Sequence, residues 1–519
     1  MNKYIKTILP VAALALTMGM TSCTGDLDVT PIDPNLDLES TPEGLLNKCY
    51  ANFAMQGNQG GNEVDIDGFD GGTVGLVRQM WNSNELTSDE AICGWGDAGI
   101  TEFVTNTYGD QHPMLYGYYS RLTTGITYCN QYIAEKGGHD ATMTAEARFL
   151  RAFQYYLIMD AWGSVPFATE PLATPRQISR EEAYEWILNE VLDLEPALSD
   201  AKAKKSSDKG YGRVDKAAAW MLLARLYLNA EVYTGTAQWA KAAEYAKKVM
   251  DSAYTLTPNF SYLFMGDNNS NGAQNEIILH ILQDGIATQN YGGALFLIAS
   301  TNKDDMGDHG TSESWAGNRA RKQLVEKFFP NSEPPTGLDV AGMIAAAGDD
   351  RAMFFSIDRN LSVEETANFT DGFSVGKFTN SYSNGANPHD SKFVDTDVPF
   401  LRAAEAYLTY AEAQTRLGNT AEAKVAVDAL KDRAHASASK QGVYSLDDIC
   451  DEWAREFMFE GRRRMDLVRF GRFGGNSDYV WEWKGGARNG SNFSAQRNVF
   501  GLPTKDIVAN SNLVQNPGY

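Results

Sequence analysis

Carboxylates crowd residues 65–97, and six of them are candidates: Asp65, Asp67, Asp70, Asp89, Glu90 and Asp97. Two of them at a suitable separation would make a glycosidase, one protonating the leaving oxygen and the other serving as base or nucleophile. Spacing in sequence does not fix that separation, and 67 acidic residues in 519 make such clusters unavoidable. A glycoside hydrolase is therefore the alternative reading. Gly372-Phe373-Ser374-Val375-Gly376 matches the G-x-S-x-G of a serine hydrolase, which needs a strand–turn–helix to present its serine. Lys377-Phe378 leads into a polar loop instead, and the match is assigned to chance. Asp267, Asn269 and Asn271 alternate ahead of Gly272, the first half of a calcium loop, but its twelfth position is Ile278 rather than a bidentate glutamate. A solvated Asn-rich turn is the leading account, and a structural calcium ion completed by distant residues is the other. The six histidines form no H-E-x-x-H site, and Cys49, Cys93, Cys129 and Cys450 lack metal-ligand spacing. No cofactor is required by these residues. Arg462-Arg463-Arg464 reads as an ion-pair array on a helix.

Binding a sugar needs no reacting group. It needs flat aromatic faces for the C–H surfaces and a few polar groups for the hydroxyls. Trp95 lies in the glycine-rich GWGDAG, Trp315 in the serine- and glycine-rich TSESWAGN, and Tyr291 precedes Gly292-Gly293. These are poor places for core packing; the competing account is that they plug the core beneath loops. A formal net charge of −22 argues against nucleic acid and against anionic lipid, and is compatible with a neutral ligand.

The elements that must hold these loops are helical. Residues 217–250 place Ala217, Ala218 and Ala224 beside Trp220, Leu222, Leu223, Leu226 and Tyr227. Trp239, Ala242, Ala243, Ala246, Val249 and Met250 then recur at helical spacing, with Lys241, Glu244, Lys247, Lys248 and Asp251 facing away. Asn229–Thr236 between them predicts a turn, so the stretch is a helical hairpin of tetratricopeptide-like length. Residues 398–417 and the run after Gly418-Asn419-Thr420 make another, with Asn419 as a cap and Glu422 three residues on. Further helices are predicted from Pro42 to about Met55 and over 115–135, 143–161, 180–198 and 316–329. One long helix is predicted over 446–470, with Glu460–Arg464 as an i,i+4 pair. The run 276–282 reads as a strand. The expected class is mostly α, a helical-hairpin scaffold with long irregular loops and a few short strands.

Lys3 and Lys6, the apolar run Ile8–Met20, and Thr21-Ser22 before Cys23 form a lipoprotein leader over 1–22, with Cys23 the lipid acceptor. No other apolar run reaches the ~20 residues that span a bilayer. The organisation follows: an acidic tether over 23–42, then a single domain over 43–519. Its scaffold occupies about 43–55, 115–253 and 398–470, and its loop-rich regions about 56–112 and 254–395.

Several stretches carry a family resemblance. EARFLRAFQYYLIMDAWGSVPF (146–167), FLRAAEAYLTYAEAQTRLG (400–418), EWAREFMFEGRRRMDLVRFGRF (452–473) and the terminal NSNLVQNPGY, with the TSC start, resemble the SusD/RagB family of Bacteroidetes outer-membrane lipoproteins. NELTSDE (84–90), LLARLYLNAEVYTG (222–235) and DGIATQNYGG (284–293) resemble its starch-utilisation branch. The resemblance implies a SusD-like fold, a non-catalytic role in binding starch or maltooligosaccharides at the cell surface, and a SusC-like TonB-dependent transporter as partner. It puts Trp95, Tyr291 and Trp315 on an aromatic arc and Asp70 and Arg78 at polar contact positions. Cys93 stands where a further arc aromatic is expected, and Ala98 where a hydrogen-bonding asparagine is. Two other readings stay open: a lipid-anchored glycoside hydrolase, and a family member that binds a different glycan or only its transporter.

Overall fold

The computed structural model describes residues 40–57 and 60–519. The leader, the lipid-acceptor Cys23 and the tether up to residue 39 lie outside the described residues. The chain divides into a short unit, Met1–Gly44, and a large one, Leu45–Tyr519. The large unit carries the scaffold.

Ten helices matter here: α1 (Pro42–Ala54), α2 (Pro113–Lys136), α3 (Ala141–Trp162), α4 (Arg180–Leu194), α5 (Lys216–Leu228), α6 (Trp239–Met250), α7 (Ala403–Arg416), α8 (Thr420–Arg433), α9 (Leu446–Phe457) and α10 (Arg463–Arg469). Their starts are set by local chemistry. Asp140, Ser179 and Asp215 each turn a side-chain oxygen to a first-turn N–H, of Met143, Glu182 and Ala217 respectively. From α2 to α8 each helix packs on the next, the nearest-neighbour logic of stacked helical repeats. Small residues allow the close approach: Ala217, Ala218, Ala219 and Ala224 of α5, Ala242, Ala243 and Ala246 of α6, and Ala403, Ala404, Ala406, Ala411 and Ala413 of α7 are all buried. Helices α6 and α7 pack directly, although residues 251–402 run between them. That excursion leaves the stack after α6 and returns to it at α7, and much of the candidate site lies on it.

The strands occur in antiparallel pairs: β1 (Ala91–Cys93) with β3 (Asn318–Ala320), and β2 (Ile277–Ile281) with β4 (Val398–Arg402). Two shorter pairs are Val165–Phe167 with Arg176–Ile178 and Phe354–Phe355 with Ser374–Val375.

Several local expectations are corrected. The 229–236 connector is not a plain turn: Ala230–Thr234 is a helical turn ended by Gly235 at φ 75°. Residues 398–402 are strand β4, because they pair with β2 before the helix begins. The predicted helix over 316–329 is strand β3 followed by the short helix Lys322–Glu326. Asn419 does not cap α8 with its side chain, which donates to Gln414 instead.

The predicted helix over 446–470 is broken into α9 and α10. Phe459 and Gly461 take φ of 62° and 79°, left-handed values that end a helix. The cause is tertiary. Glu90 accepts from the Phe459 N–H at 3.1 Å and Glu85 from the Arg462 N–H at 2.8 Å, so two buried carboxylates capture donors that a continuous helix would use. Glu460 accordingly pairs with Arg402 and Lys377, and Arg464 with Asp160, not with one another.

Burial pushes the Glu85 carboxyl up to about 7 and the Glu90 carboxyl well above the usual range. The Glu85 charge adds to the rise at Glu90, while a hydrogen bond from Glu90 favours charge on Glu85, so the pair holds a proton above the usual carboxylate range. A folded-state pKa above the unfolded one gives stability that is full below the unfolded value, about 4.3 for Glu. It is lost as pH rises through the folded value. Glu85→Gln keeps an acceptor for the Arg462 N–H and removes the second charge. The variant should lose less of its urea midpoint between about pH 6 and about pH 9 than the parent does. An identical pH profile for the two proteins would exclude this account.

Candidate functional site

The β1–β3 ladder sets the two tryptophans. Cys93 pairs with Asn318 in antiparallel register, so the chain leaving β1 and the chain entering β3 emerge at the same end. Trp95 is two residues beyond Cys93 and Trp315 three before Asn318. The Gly94 N–H donates to the Gly317 carbonyl at 3.0 Å, and the Trp315 N–H to Ala299 at 2.8 Å. A Cβ on Gly317 would overlap the Trp95 indole, so glycine there is required for the ring to lie against its backbone.

Tyr291 arrives from another loop. The Arg78 N–H, in the short helix Leu76–Trp81, donates to the Gly292 carbonyl at 3.0 Å. A Cβ on Gly75 would stand 2.7 Å from the Gly292 Cα, so the two backbones touch. This contact fixes Tyr291 beside Trp315, with ring centroids 6.0 Å apart and planes inclined by 47°. The Trp315 indole N–H donates to Glu313 at 2.6 Å, Glu313 pairs with Lys392 at 3.1 Å, and the Lys392 Nζ lies 5.0 Å over the Tyr291 ring. The orientations of both rings are thereby tied together. Trp95, Tyr291 and Trp315 all keep part of their surface exposed.

Arg78 lies beneath them. Its guanidinium stands 5.7 Å from the Trp95 ring and 5.2 Å from Phe296, and is 8 % exposed. Its Nε is buried without a hydrogen-bond partner among the described residues. Burial pulls its pKa down, while Asp97 and Asp70 oppose this from a distance. Thr73 donates its hydroxyl to Asp70 Oδ1 at 2.6 Å, which orients that exposed carboxylate.

Trp95, Tyr291, Trp315 and Arg78 thus converge, while Asp70 stands on the adjoining loop and acts on Arg78 only from a distance. Sequence reasoning missed Phe393, whose ring centroid is 5.6 Å from that of Tyr291, and the Lys392–Glu313 pair. Their stretch is polar and glycine-rich, with no periodicity to mark a residue. It also missed Phe369, 40 % exposed and touching Gly94. Cys93 does not face the site: it is 3 % exposed, and burial pushes its thiol up to about 12.

The other candidates resolve into structure. Asp65 pairs with Arg121 at 2.6 Å. Burial alone would raise the Asp89 carboxyl, but Arg463 at 2.7 Å, with Lys327, holds it well below the usual range. Glu90 serves the Phe459 N–H. Three of the six acids are therefore engaged by the fold, leaving Asp67, Asp70 and Asp97 exposed. Ser374 sits buried in a two-residue strand, not on a strand-to-helix elbow. Asp267 accepts from the Ser383 N–H and hydroxyl and from Asn271. Arg462 pairs with Asp466 and Glu405, Arg463 with Asp89, and Arg464 with Asp160.

Known proteins resemble this chain over its length. A profile of the SusD family matches residues 351–519. The starch-binding protein SusD of Bacteroides thetaiotaomicron is 39 % identical over 558 aligned positions, covering 100 % of both chains. SusD-like protein P25 of Formosa agariphila is 26 % identical and covers 71 % of this chain and 70 % of its own. Among solved structures, surface glycan-binding protein A of Bacteroides uniformis superposes with a TM-score of 0.68 at 21 % identity, covering 92 % of this chain and 98 % of that one. Surface glycan-binding protein A of Bacteroides thetaiotaomicron, solved with laminarihexaose, gives a TM-score of 0.67 at 19 % identity, with 92 % and 98 % covered. These structures share the fold, and with full-length identity of 39 % to one relative the chain belongs to the SusD family.

Proposed function

We propose that this protein is a non-catalytic glycan-binding lipoprotein that captures starch and maltooligosaccharides. It hands them to a SusC-like TonB-dependent transporter, over which it sits. One observation carries the binding reading: a buried guanidinium, Arg78, with an unsatisfied donor beneath a cluster of part-exposed aromatic rings. The Nε itself is sealed from the surface, so a ligand meets this guanidinium at its outer Nη groups, whose N–H groups donate to sugar hydroxyls. The Tyr291–Trp315 inclination of 47° suits a chain that turns between consecutive sugars better than a flat ribbon. The relative at 39 % identity is a starch-binding protein, which favours an α-glucan. The leader and Cys23 support an anchored, outer-membrane, cell-surface location, and no described helix is long and apolar enough to cross a membrane.

The buried Cys93 and the small Ala98 favour a second reading, in which a different glycan is preferred. Gel retardation separates the two. Amylopectin in the gel is expected to slow the protein and laminarin to leave it unaffected; the reverse pattern would move the assignment. Soluble starch incubated with the protein should release no new reducing ends, whereas release would establish the hydrolase.

No cofactor is needed for such binding. The Asp267–Asn269–Asn271 loop is held by Ser383 and by its own hydrogen bonds. Its melting temperature should be the same in EDTA as in excess calcium, and a rise of several degrees with calcium would assign a metal to it.

A further inference from the structure

The loop 68–73 has two faces. Gly72 faces the aromatic cluster: a Cβ there would lie 2.7 Å from Arg78 Nη1 and 3.3 Å from the Tyr291 Cβ. Gly68, Phe69, Asp70 and Thr73 face the other way and line a groove of about 570 Å³, closed by Asp97, Asp110, Tyr116 and Lys505 among others. That volume is within the ~300–1,000 Å³ of small-molecule sites. We propose that this groove is an extension subsite, binding further sugar units of the same neutral glycan whose other end lies on Trp95, Tyr291 and Trp315. The proposal rests on the glycan-binding reading above.

The floor of the groove is aromatic. Phe69 and Tyr116 lie with ring centroids 5.3 Å apart and planes inclined by 35°, and both are half-buried. Phe69 is seated on Gly117 of α2, where a Cβ would come within 3.3 Å of the ring. The pair is therefore a firm platform on the scaffold, not a loose loop residue. Lys505 reaches across the Tyr116 ring at 4.7 Å and supplies donors. Asp70, Asp97 and Asp110 supply acceptors, and Thr73 already points Asp70 by holding one of its oxygens at 2.6 Å.

Charge selects the class of ligand. Three carboxylates against one lysine disfavour an anion. A rim so polar disfavours a purely apolar molecule, whose entry would desolvate the acids without pairing them. A neutral polyol meets both conditions, giving C–H faces to the rings and hydroxyls to the carboxylates. Continuity selects the particular occupant. Asp70 and Asp97 belong to the groove, and both also act on Arg78. The two sites thus share a wall and its charges, and a chain leaving the first crosses that wall to reach the second.

Calorimetry with maltotriose and maltoheptaose tests this. Three rings serve roughly three sugars, so maltotriose reports on the aromatic cluster alone and maltoheptaose on both sites. Tyr116→Ala, and separately Phe69→Ala, should weaken maltoheptaose roughly three- to tenfold, the worth of one aromatic stacking contact. Maltotriose affinity should stay at the parental value, which also shows the variants folded. Equal maltoheptaose affinities in parent and variants would overturn the subsite, as would equal losses for both sugars. If the parent binds neither sugar, the glycan reading itself fails, which is a different result from either.

Discussion

Trp95→Ala with Trp315→Ala is expected to abolish retardation by amylopectin while the protein stays folded. Both rings keep exposed surface, and the backbone that carries them is fixed independently of the side chains. The β1–β3 ladder persists through Gly94 to Gly317, and Trp315 is held through its main-chain N–H to Ala299. Removing the rings therefore removes stacking faces and little of the core. A large aromatic at the centre of a binding surface is worth about 2 kcal/mol or more when truncated. Two such losses, at tenfold per 1.4 kcal/mol, weaken binding on the order of a thousandfold. Trp315→Ala also frees Glu313 from the indole, which lets Lys392 and Tyr291 reorient and adds to the loss. The checks are migration in the affinity gel and a melting curve. Undiminished retardation would refute the assignment, and a collapsed melting curve would show that the rings are core plugs.

What the sequence made legible follows from the range of the forces involved. The helical stack was visible because its signals are local: alanines and large apolar residues recurring every turn. The break between α9 and α10 was not, since it is imposed by Glu85 and Glu90 from more than 360 positions away. Only Gly461 hinted at it. The same limit applies to the site. Trp95, Tyr291 and Trp315 stood out as aromatics in glycine-rich loops, and the family resemblance added Arg78 and Asp70. No periodicity marks Phe393 or Lys392, which reach Tyr291 because the excursion folds back on itself. Cys93 looked like a surface position by analogy, yet its place in β1 buries it. The Arg462–Arg464 triplet shows the opposite case: the reading as ion pairs was right in kind, and the one partner named, Glu460 for Arg464, was wrong, because spacing along one helix cannot name a carboxylate such as Asp160 from another element.

Glu456→Ala should be among the most destabilising single substitutions in the molecule, by about 3–5 kcal/mol. Glu456 is fully buried in α9 and accepts from Arg402 at 2.6 Å, from Arg351 at 3.1 Å and from Arg433. Arg402 and Arg433 both continue to Glu276 at 3.0 Å, and Arg351 to Glu452 at 2.6 Å and Asp349 at 2.7 Å. These residues come from the position just before β2, from β4, α8 and α9, and from the 349–351 turn, so the network clamps the 251–402 excursion onto the stack that it interrupts. Desolvation opposes every charge here, and the carboxylate stays ionised only because several guanidinium groups surround it. Burial would raise its pKa, and Arg433, Arg402 and Arg351 bring it far below the usual range. Alanine leaves those three arginines buried with one acceptor fewer, which is the expensive half of breaking a buried pair. Exposed Glu364, paired with Arg488, is the contrast: Glu364→Ala should change stability by no more than about 1 kcal/mol. The pH dependence has a definite sign. A folded pKa below the unfolded one gives stability present above about pH 4.3 and lost as acid titrates the carboxylate towards its folded value. Glu456→Gln should therefore lower the urea midpoint at neutral pH and flatten its fall in acid. Equal midpoints for Glu456→Ala and Glu364→Ala would show that the network does not hold the excursion in place. Because that excursion carries Tyr291 and Trp315, partial opening of it in Glu456→Gln should weaken glycan binding at a temperature where the helices of the stack are still intact.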